Sequence, residues 1–287
     1  LLKKGRKNLF FIHAGSGEIS NYINLSQYID EGFSCWGIKM GFNQYSPYNT
    51  SIHELALKYV NYITDIQSEG PYYLAGWCIG GTIAFEMASI LEKLGESIGF
   101  LGLFNTIAPK HWDDIKLFSP EGEINFIRTC IGLETFTTDN SENFSIDDVW
   151  GCFVNKANDF SCEDTERIKT RIPEDISLSI PRFGEANILD IIRYVNCIRT
   201  LHTARALYYP ITKLKTRINF YNATKDTIIK DKIDNLKNWN KYCQHEVVKS
   251  DIEADHFSMF HSPCAEKLGN LINNEIIHRE EKRKVYG

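Results

Sequence analysis

One stretch restricts the architecture of the chain more than any other: Pro71 to Leu94, PYYLAGWCIGGTIAFEMASILEKL. It reads as a short apolar strand, a tight Gly-rich turn with Cys78 at its apex, and then a helix. Gly76, Gly80 and Gly81 surround the cysteine, and residues without a Cβ let the backbone of such a turn pass close to its neighbours. After the turn, Ile83, Met87, Ile90, Leu91 and Leu94 recur at three- and four-residue spacing. That spacing predicts a helix that buries one face and points its N-terminus at the sulfur. A positive helix end beside a thiol favours the thiolate. The plain alternative is a buried structural cysteine.

The stretches on either side repeat the same alternation. Asn8 to His13 is a continuous apolar run, suited to a strand buried on both faces of a parallel sheet, and the turn AGSGE follows it. Ile19, Tyr22, Ile23 and Ile29 mark a helix face, and Ser34 to Met40 reads as the next strand. Ser51 with Glu54 forms a capping box for a helix carried by Leu55, Tyr59, Ile63 and Ile66 as far as Gly70. Ile98 to Phe104 is another apolar strand and ends in Asn105. Strands alternating with helices predict an α/β fold with a mostly parallel, doubly wound sheet.

Between Ala108 and about Pro210 the alternation stops and the pattern is helical: Ile124, Ile127 and Ile131; Ser145 with Asp148 capping a segment through Val149 and Phe153; then Ile188, Ile191, Ile192, Val195, Ile198 and Leu201. This divides the chain into a core of residues 1–110 and 211–287 and a helical insertion of residues 111–210 within the same domain, a natural lid. The aromatics of the insertion, Trp112, Phe126, Trp150, Phe153 and Phe183, either line an acyl pocket or form the insertion's own core. The sheet is expected to resume at Arg217 to Asn222. ATKD, a helix ending near Cys243, a strand around His245 to Val248 and the loop DIEADHFSMF follow. A last helix from Pro263 runs into the charged end HREEKRK, read as a solvated helix terminus.

Composition excludes several classes. A net charge of −5 gives no basic footprint for nucleic acid, and no apolar run approaches the roughly 20 residues that span a bilayer. The eight cysteines (35, 78, 130, 152, 162, 197, 243 and 264) are scattered without metal-ligand spacing in a chain too large to need disulfide staples. A soluble protein of a reducing cytoplasm, without metal or cofactor of its own, is the expectation. Leu1 in place of a start methionine points to a segment of a longer polypeptide.

His256, in the loop after the final expected strand, is the candidate partner for Cys78, acting to hold or take the thiol proton and to activate a second nucleophile. His13 and His261 read as structural, His13 bracing the turn that follows it. An oxyanion hole would use the backbone N–H of Ile79 together with one from Ala14-Gly15. AGSG lacks the spacing and the lysine of a phosphate-binding loop.

These residues carry a resemblance. LFFIHAGSGEISNY, EGPYYLAGWCIGGTIAFEMASILEKLGE, IGFLGLFNTIAP and EADHFSMF resemble the thioesterase domain that ends nonribosomal peptide synthetases, a member of the α/β-hydrolase superfamily. The resemblance implies an α/β-hydrolase fold and a chain-terminating enzyme. It would take a peptidyl or acyl chain from the phosphopantetheine arm of an upstream carrier protein and release it by cyclisation or hydrolysis. A monomeric domain of a larger synthetase is implied as well. Two departures stand out. The family's serine is Cys78, so the acyl-enzyme is itself a thioester and stays activated for a harder transfer, such as ring closure to a lactam or lactone. The family's aspartate after the strand ending LFN is Asn105, which would orient His256 through its carbonyl. Asp226, after the next core strand, is the rival orienter, and its plain reading is a turn or helix cap. A free-standing editing thioesterase and an inactive binding module on the same fold are the other readings. Lys213, Lys215 and Arg217 form a small basic cluster, read either as a solvated loop or as a docking point for an acidic partner.

Overall fold

The structure is a computed structural model that describes residues 1–112, 115–138 and 144–286, with side chains described through residue 281. They group into two units. The first comprises Leu1–Met40, Ser51–Trp112 and Arg205–Gly287, the second Gly41–Thr50 and Asp113–Ala204.

The first unit is built on a six-stranded sheet: β1 Lys7–Ile12, β2 Phe33–Ile38, β3 Tyr72–Trp77, β4 Ile98–Phe104, β5 Asn219–Ala223 and β6 Val248–Ile252. The strand order is β2-β1-β3-β4-β5-β6, and every pairing is parallel. The apolar runs are explained by cover on both faces. Leu9, Phe11, Tyr73, Ala75 and Trp77 pack with Tyr22 and Leu25 of α1 (Asn21–Ser26) and with Leu268, Ile272 and Ile276 of α10 (Cys264–Tyr286). The alternate strand residues Phe10, Ile12 and Leu74 are equally buried. On that side lie α2 (Ile52–Ile66), with its Ser51–Glu54 capping box, and α3 (Ile79–Lys93). Every residue of α3 from Ile79 to Leu91 is buried, as for a helix clasped between a sheet and a neighbouring helix.

Several boundaries differ from the sequence expectation. The final strand is Val248–Ile252, not His245–Val248: as the outer strand of the sheet it alternates exposed and part-buried residues, so VKSDI carries a weak apolar signal. The strand expected from Arg217 begins at Asn219, and α2 stops at Ile66 rather than Gly70. Ile23, Ile66 and Leu94, expected on buried helix faces, are exposed. The charged end is helical and anchored: Glu280 of α10 accepts from the Tyr73 hydroxyl at 2.7 Å and pairs with Lys7 at 2.5 Å.

The second unit is helical. It contains α4 (Pro120–Phe126), continued by a π-helical turn at Ile127–Ile131, then α5 (Ile146–Ala157), α6 (Cys162–Lys169), α7 (Glu174–Ser177) and most of α8 (Ile188–Ala206). The Ser145–Asp148 box caps α5, and a second box that the sequence reading passed over, Ser161–Asp164, caps α6. Trp150 and Phe153 are fully buried with Ile127, Phe136, Ile168 and Ile192, so they are core of this unit. Phe126 packs on the edge of that core with the Arg199 guanidinium 3.7 Å from its ring centre, while Phe183 packs against a smaller cluster of Ile180, Ile191 and Val195. Arg199 also pairs with the buried Glu123 at 2.7 Å, and the same carboxylate accepts from the Trp150 indole at 3.0 Å. Trp112 falls in the first unit and is exposed beneath Lys110.

Candidate active site

β3 delivers Cys78 to the carboxyl end of the sheet, and α3 begins at the next residue. Between them Cys78 takes φ 56° and ψ −124°, a conformation that L-residues avoid at a cost of about 1–3 kcal/mol. The turn is held by Cys78 N–H to the Phe104 carbonyl at 3.0 Å and by Gly81 N–H to the Cys78 carbonyl at 3.3 Å. Its glycines are required by space. A Cβ on Gly76 would lie 2.1 Å from the Gly80 carbonyl oxygen, and one on Gly80 would lie 2.3 Å from that of His13. Strand, strained turn and helix together leave the sulfur part-exposed over the helix N-terminus.

His256 reaches this sulfur from the loop between β6 and α10. The loop is pinned by Asp255, whose carboxylate accepts from the N–H groups of Phe257 and Ser258, each at 2.9 Å, while Ser258 Oγ accepts from Asp255 N–H at 3.0 Å. These bonds hold the Asp255 carboxyl below its ordinary range. The His256 ring is buried between Trp77 and Phe257, with ring centres 4.9 and 5.2 Å away, and it is close enough to Cys78 to favour the thiolate. Asn105 closes the line from the other side. It follows β4 at φ 43°, a left-handed conformation asparagine tolerates, and is completely buried. Its amide nitrogen lies 2.7 Å from His256 Nδ1 and its oxygen accepts from Ala223 N–H at 3.2 Å. The carbonyl that the sequence reading assigned to the imidazole is therefore committed to the backbone, and the NH2 group faces the ring.

Asp226, the rival orienter, spends both oxygens on its own turn, accepting from Ile228 N–H at 3.0 Å and Ile229 N–H at 2.9 Å. Ile79 N–H, the first of α3, acts to lower the Cys78 thiol. Ala14 N–H is engaged with the Glu18 carbonyl at 3.4 Å, whereas the buried Gly15 N–H takes part in none of that turn's hydrogen bonds among the described residues. His13 braces the turn: one ring nitrogen meets the Ala14 carbonyl at 2.8 Å and the other the Tyr59 hydroxyl at 2.6 Å. His261 caps the 3-10 turn Ser258–Phe260 and is exposed.

One group at the site gave no signal in the sequence. Arg205, near the end of α8, acts electrostatically on Cys78. Its Nε is buried without a hydrogen-bond partner, and no carboxylate pairs with it among the described residues. Two more of the buried polar atoms without partners lie near Cys78 in sequence, Trp77 Nε1 and Thr82 Oγ1. Burial by itself pushes the Cys78 thiol up. The His256 ring, the Arg205 charge and the Ile79 N–H outweigh it and hold the thiol below its ordinary value. At Cys35 and Cys243 burial outweighs the nearby Lys3 and Lys213, and the thiols are pushed up to about 11 and about 12. Among the described residues no group of three or more His, Cys, Asp or Glu is placed to hold a metal ion, and no helix is long and apolar enough to cross a membrane. The clefts around Lys215, Arg217 and Arg279 open by Ile98 and Gly99 at the start of β4, the strand end opposite the site.

The parallel sheet, the strained cysteine turn and the histidine after the last strand define an α/β-hydrolase. Solved structures agree on the fold. A four-domain nonribosomal peptide synthetase bound to AMP and glycine matches with TM-score 0.64 and 18% identity, over 95% of this chain and 20% of that one. The NocB thioesterase domain, in covalent complex with a fluorophosphonate nocardicin G analogue, matches with TM-score 0.58 and 17% identity over 96% of both chains. Within that class the sequence is specific: residues 7–123 match the family model of the thioesterase domain. Over this part the chain is similar to the thioesterase domains of nonribosomal-peptide-synthetase-like enzymes. It is 42% identical over 106 residues to nonribosomal peptide synthetase apvA of Aspergillus terreus, covering 37% of this chain and 12% of that protein. It is 36% identical over 107 residues to atromentin synthetase of Tapinella panuoides, covering 37% of this chain and 11% of that protein. To aspulvinone E synthetase melA of Aspergillus terreus it is 26% identical over 269 residues, 89% of this chain and 26% of that protein. The chain thus spans between 11% and 26% of these relatives' length.

Proposed function

We propose that this domain ends an assembly line by chain release: Cys78 takes a peptidyl or acyl chain from the phosphopantetheine thioester of an upstream carrier protein and passes it to a second nucleophile. The observation that carries the reading is the placement of Cys78 on a strained turn at a helix N-terminus, with the buried His256 ring packed on the neighbouring Trp77 and Asn105 2.7 Å behind it. The Cys78 thiolate attacks the thioester carbonyl, the C–S bond to Cys78 forms as the bond to pantetheine breaks, and the electron pair leaves on the pantetheine sulfur. The developing oxyanion is received by the N–H groups of Ile79 and Gly15. Ala14, whose N–H is engaged, is the weaker of the two early candidates. His256 then promotes the second transfer, with Asn105 as its neighbour in a Cys-His-Asn arrangement. The acyl-enzyme is a thioester, which retains the activation of the incoming one and suits intramolecular closure to a lactam or lactone, with hydrolysis as the competing outcome. The helical insertion is retained in this proposal as the part that selects the chain. No metal or cofactor belongs to the domain itself, and the pantetheine arm arrives with the substrate.

The test is intact-mass detection of an acyl adduct after exposure to peptidyl N-acetylcysteamine thioesters. An adduct on Cys78 that is absent from Cys78→Ala supports acyl transfer, and no adduct with any acyl thioester points to a binding module. The mass of the released product then separates ring closure from hydrolysis by one water.

A further inference from the structure

The orientation of the Asn105 amide has a chemical consequence for the acyl-enzyme. An asparagine side chain presents one acceptor and one double donor, and which end faces which neighbour is decided by the hydrogen bonds available. Here Ala223 N–H, at the end of β5, can only donate, and it points at the Asn105 oxygen at 3.2 Å. The amide nitrogen therefore faces His256 Nδ1 at 2.7 Å. Turning the amide over would set its NH2 against Ala223 N–H, two donors face to face in a completely buried place. An aspartate at this position would accept from both neighbours, so the change from the family's acid reverses the hydrogen bond to histidine rather than only weakening it.

Because Nδ1 accepts from Asn105, it carries no proton, and the ring N–H is the other one, Nε2–H, on the side of the ring away from Asn105. We infer that Asn105 is a positioning residue that holds His256 in this Nε2–H form, so that the domain exchanges thioesters freely but denies water a base, leaving a hydrolysis-resistant acyl-enzyme. The inference rests on the acyl-transfer function proposed above. Loading needs no proton at His256, since a thiolate enters and a thiolate leaves. Hydrolysis differs. Water must lose a proton as its oxygen bonds to the acyl carbon and the Cys78 sulfur departs with its electron pair. The Nε2 lone pair that would receive that proton is already occupied, and the other lone pair is turned toward Asn105. An amine attacks through its own lone pair and sheds its proton after the C–N bond has formed, so closure by an internal amine meets less of this barrier.

Two measurements on the intact chain decide the matter. Long-range ¹H–¹⁵N spectra of the histidine rings, with His256 assigned through His256→Gln, report the tautomer directly. A protonated Nε2 with a bare Nδ1 is expected, and a protonated Nδ1 in the wild type overturns the inference. Asn105→Asp restores an acceptor and frees Nε2 to take a proton. The Cys78 acyl adduct, followed by intact mass, should then decay to free acid ~10–100-fold faster than in the wild type. Equal lifetimes would sink the idea. If neither protein acquires an adduct, it is the acyl-transfer reading that fails, and the ring spectra still test the tautomer.

Discussion

The indole of Trp77 lies against the His256 imidazole, ring centres 4.9 Å apart and planes inclined by 39°, so the residue before Cys78 holds the His256 ring in place. The same indole meets Phe260 at 5.2 Å and Phe257 at 5.7 Å, edge-on in both cases, while its own N–H is buried without a partner. What this tryptophan contributes is shape. Trp77→Phe should keep most of the packing and remove a donor that has already lost its hydration, so its melting temperature should stay close to that of the wild type. Trp77→Ala should cost about 3–5 kcal/mol in denaturant titrations and leave His256 free to turn. A Phe variant as unstable as the Ala variant would mean that the N–H has a partner after all.

Arg205 sets stability against reactivity. With no carboxylate beside it among the described residues, the half-buried Arg205, whose Nε is left without a partner, costs the fold stability while lowering the thiol of Cys78. Arg205→Met should therefore raise stability by about 1 kcal/mol. It should also slow iodoacetamide alkylation of Cys78 at neutral pH by roughly tenfold, since the thiolate loses a nearby positive charge. The wild-type alkylation rate should rise with pH through a midpoint below that of an ordinary thiol, and in Arg205→Met that midpoint should move up. An unmoved midpoint would show that Arg205 does not act on the sulfur.

The strained turn gives an independent handle. Cys78 holds φ 56°, which glycine adopts at no steric cost. Cys78→Gly should be more stable than Cys78→Ala by about 1–2 kcal/mol, although both lack the thiol and the glycine loosens the unfolded chain more. Thermal melts of the two variants side by side test whether the backbone is under load.

How much of this was legible in the sequence follows from how local each feature is. The strand, glycine turn and helix around Cys78 are written in consecutive residues, and the capping boxes at Ser51 and Ser145 span three, so short-range patterns were enough. The edge strand Val248–Ile252 was displaced in the reading because half of its side chains meet solvent. Asn105 was picked out, but the direction of its amide depends on a backbone N–H 118 residues further along the chain. Arg205 lies in a helix whose legible signal is its apolar stripe, Ile188 to Leu201, and nothing near it in sequence shows that it comes to lie by a cysteine over a hundred positions away.

His13 makes acid sensitivity a property of the fold. Burial drives its imidazole down to about 4, against 6.5 for a free histidine, because a charged ring at the end of β1 would lose its hydration, and the Ala14 carbonyl and the Glu18 charge offset only part of that cost. The sign follows from proton counting. Between pH 6.5 and about 4 the unfolded chain binds a proton here that the folded chain does not, so lowering the pH favours unfolding and raising it restores stability. The contribution is complete above pH 6.5, is lost progressively toward pH 4, and amounts to on the order of 3 kcal/mol. Urea titrations of the wild type at pH 7 and pH 4.5 should show that loss on top of the general acid response. In His13→Gln, whose amide can donate to the Ala14 carbonyl and accept from Tyr59 without titrating, the difference between the two pH values should shrink by about that amount, even though the variant starts from a lower stability. If the difference is the same in both proteins, His13 is not the group that makes this fold acid-sensitive.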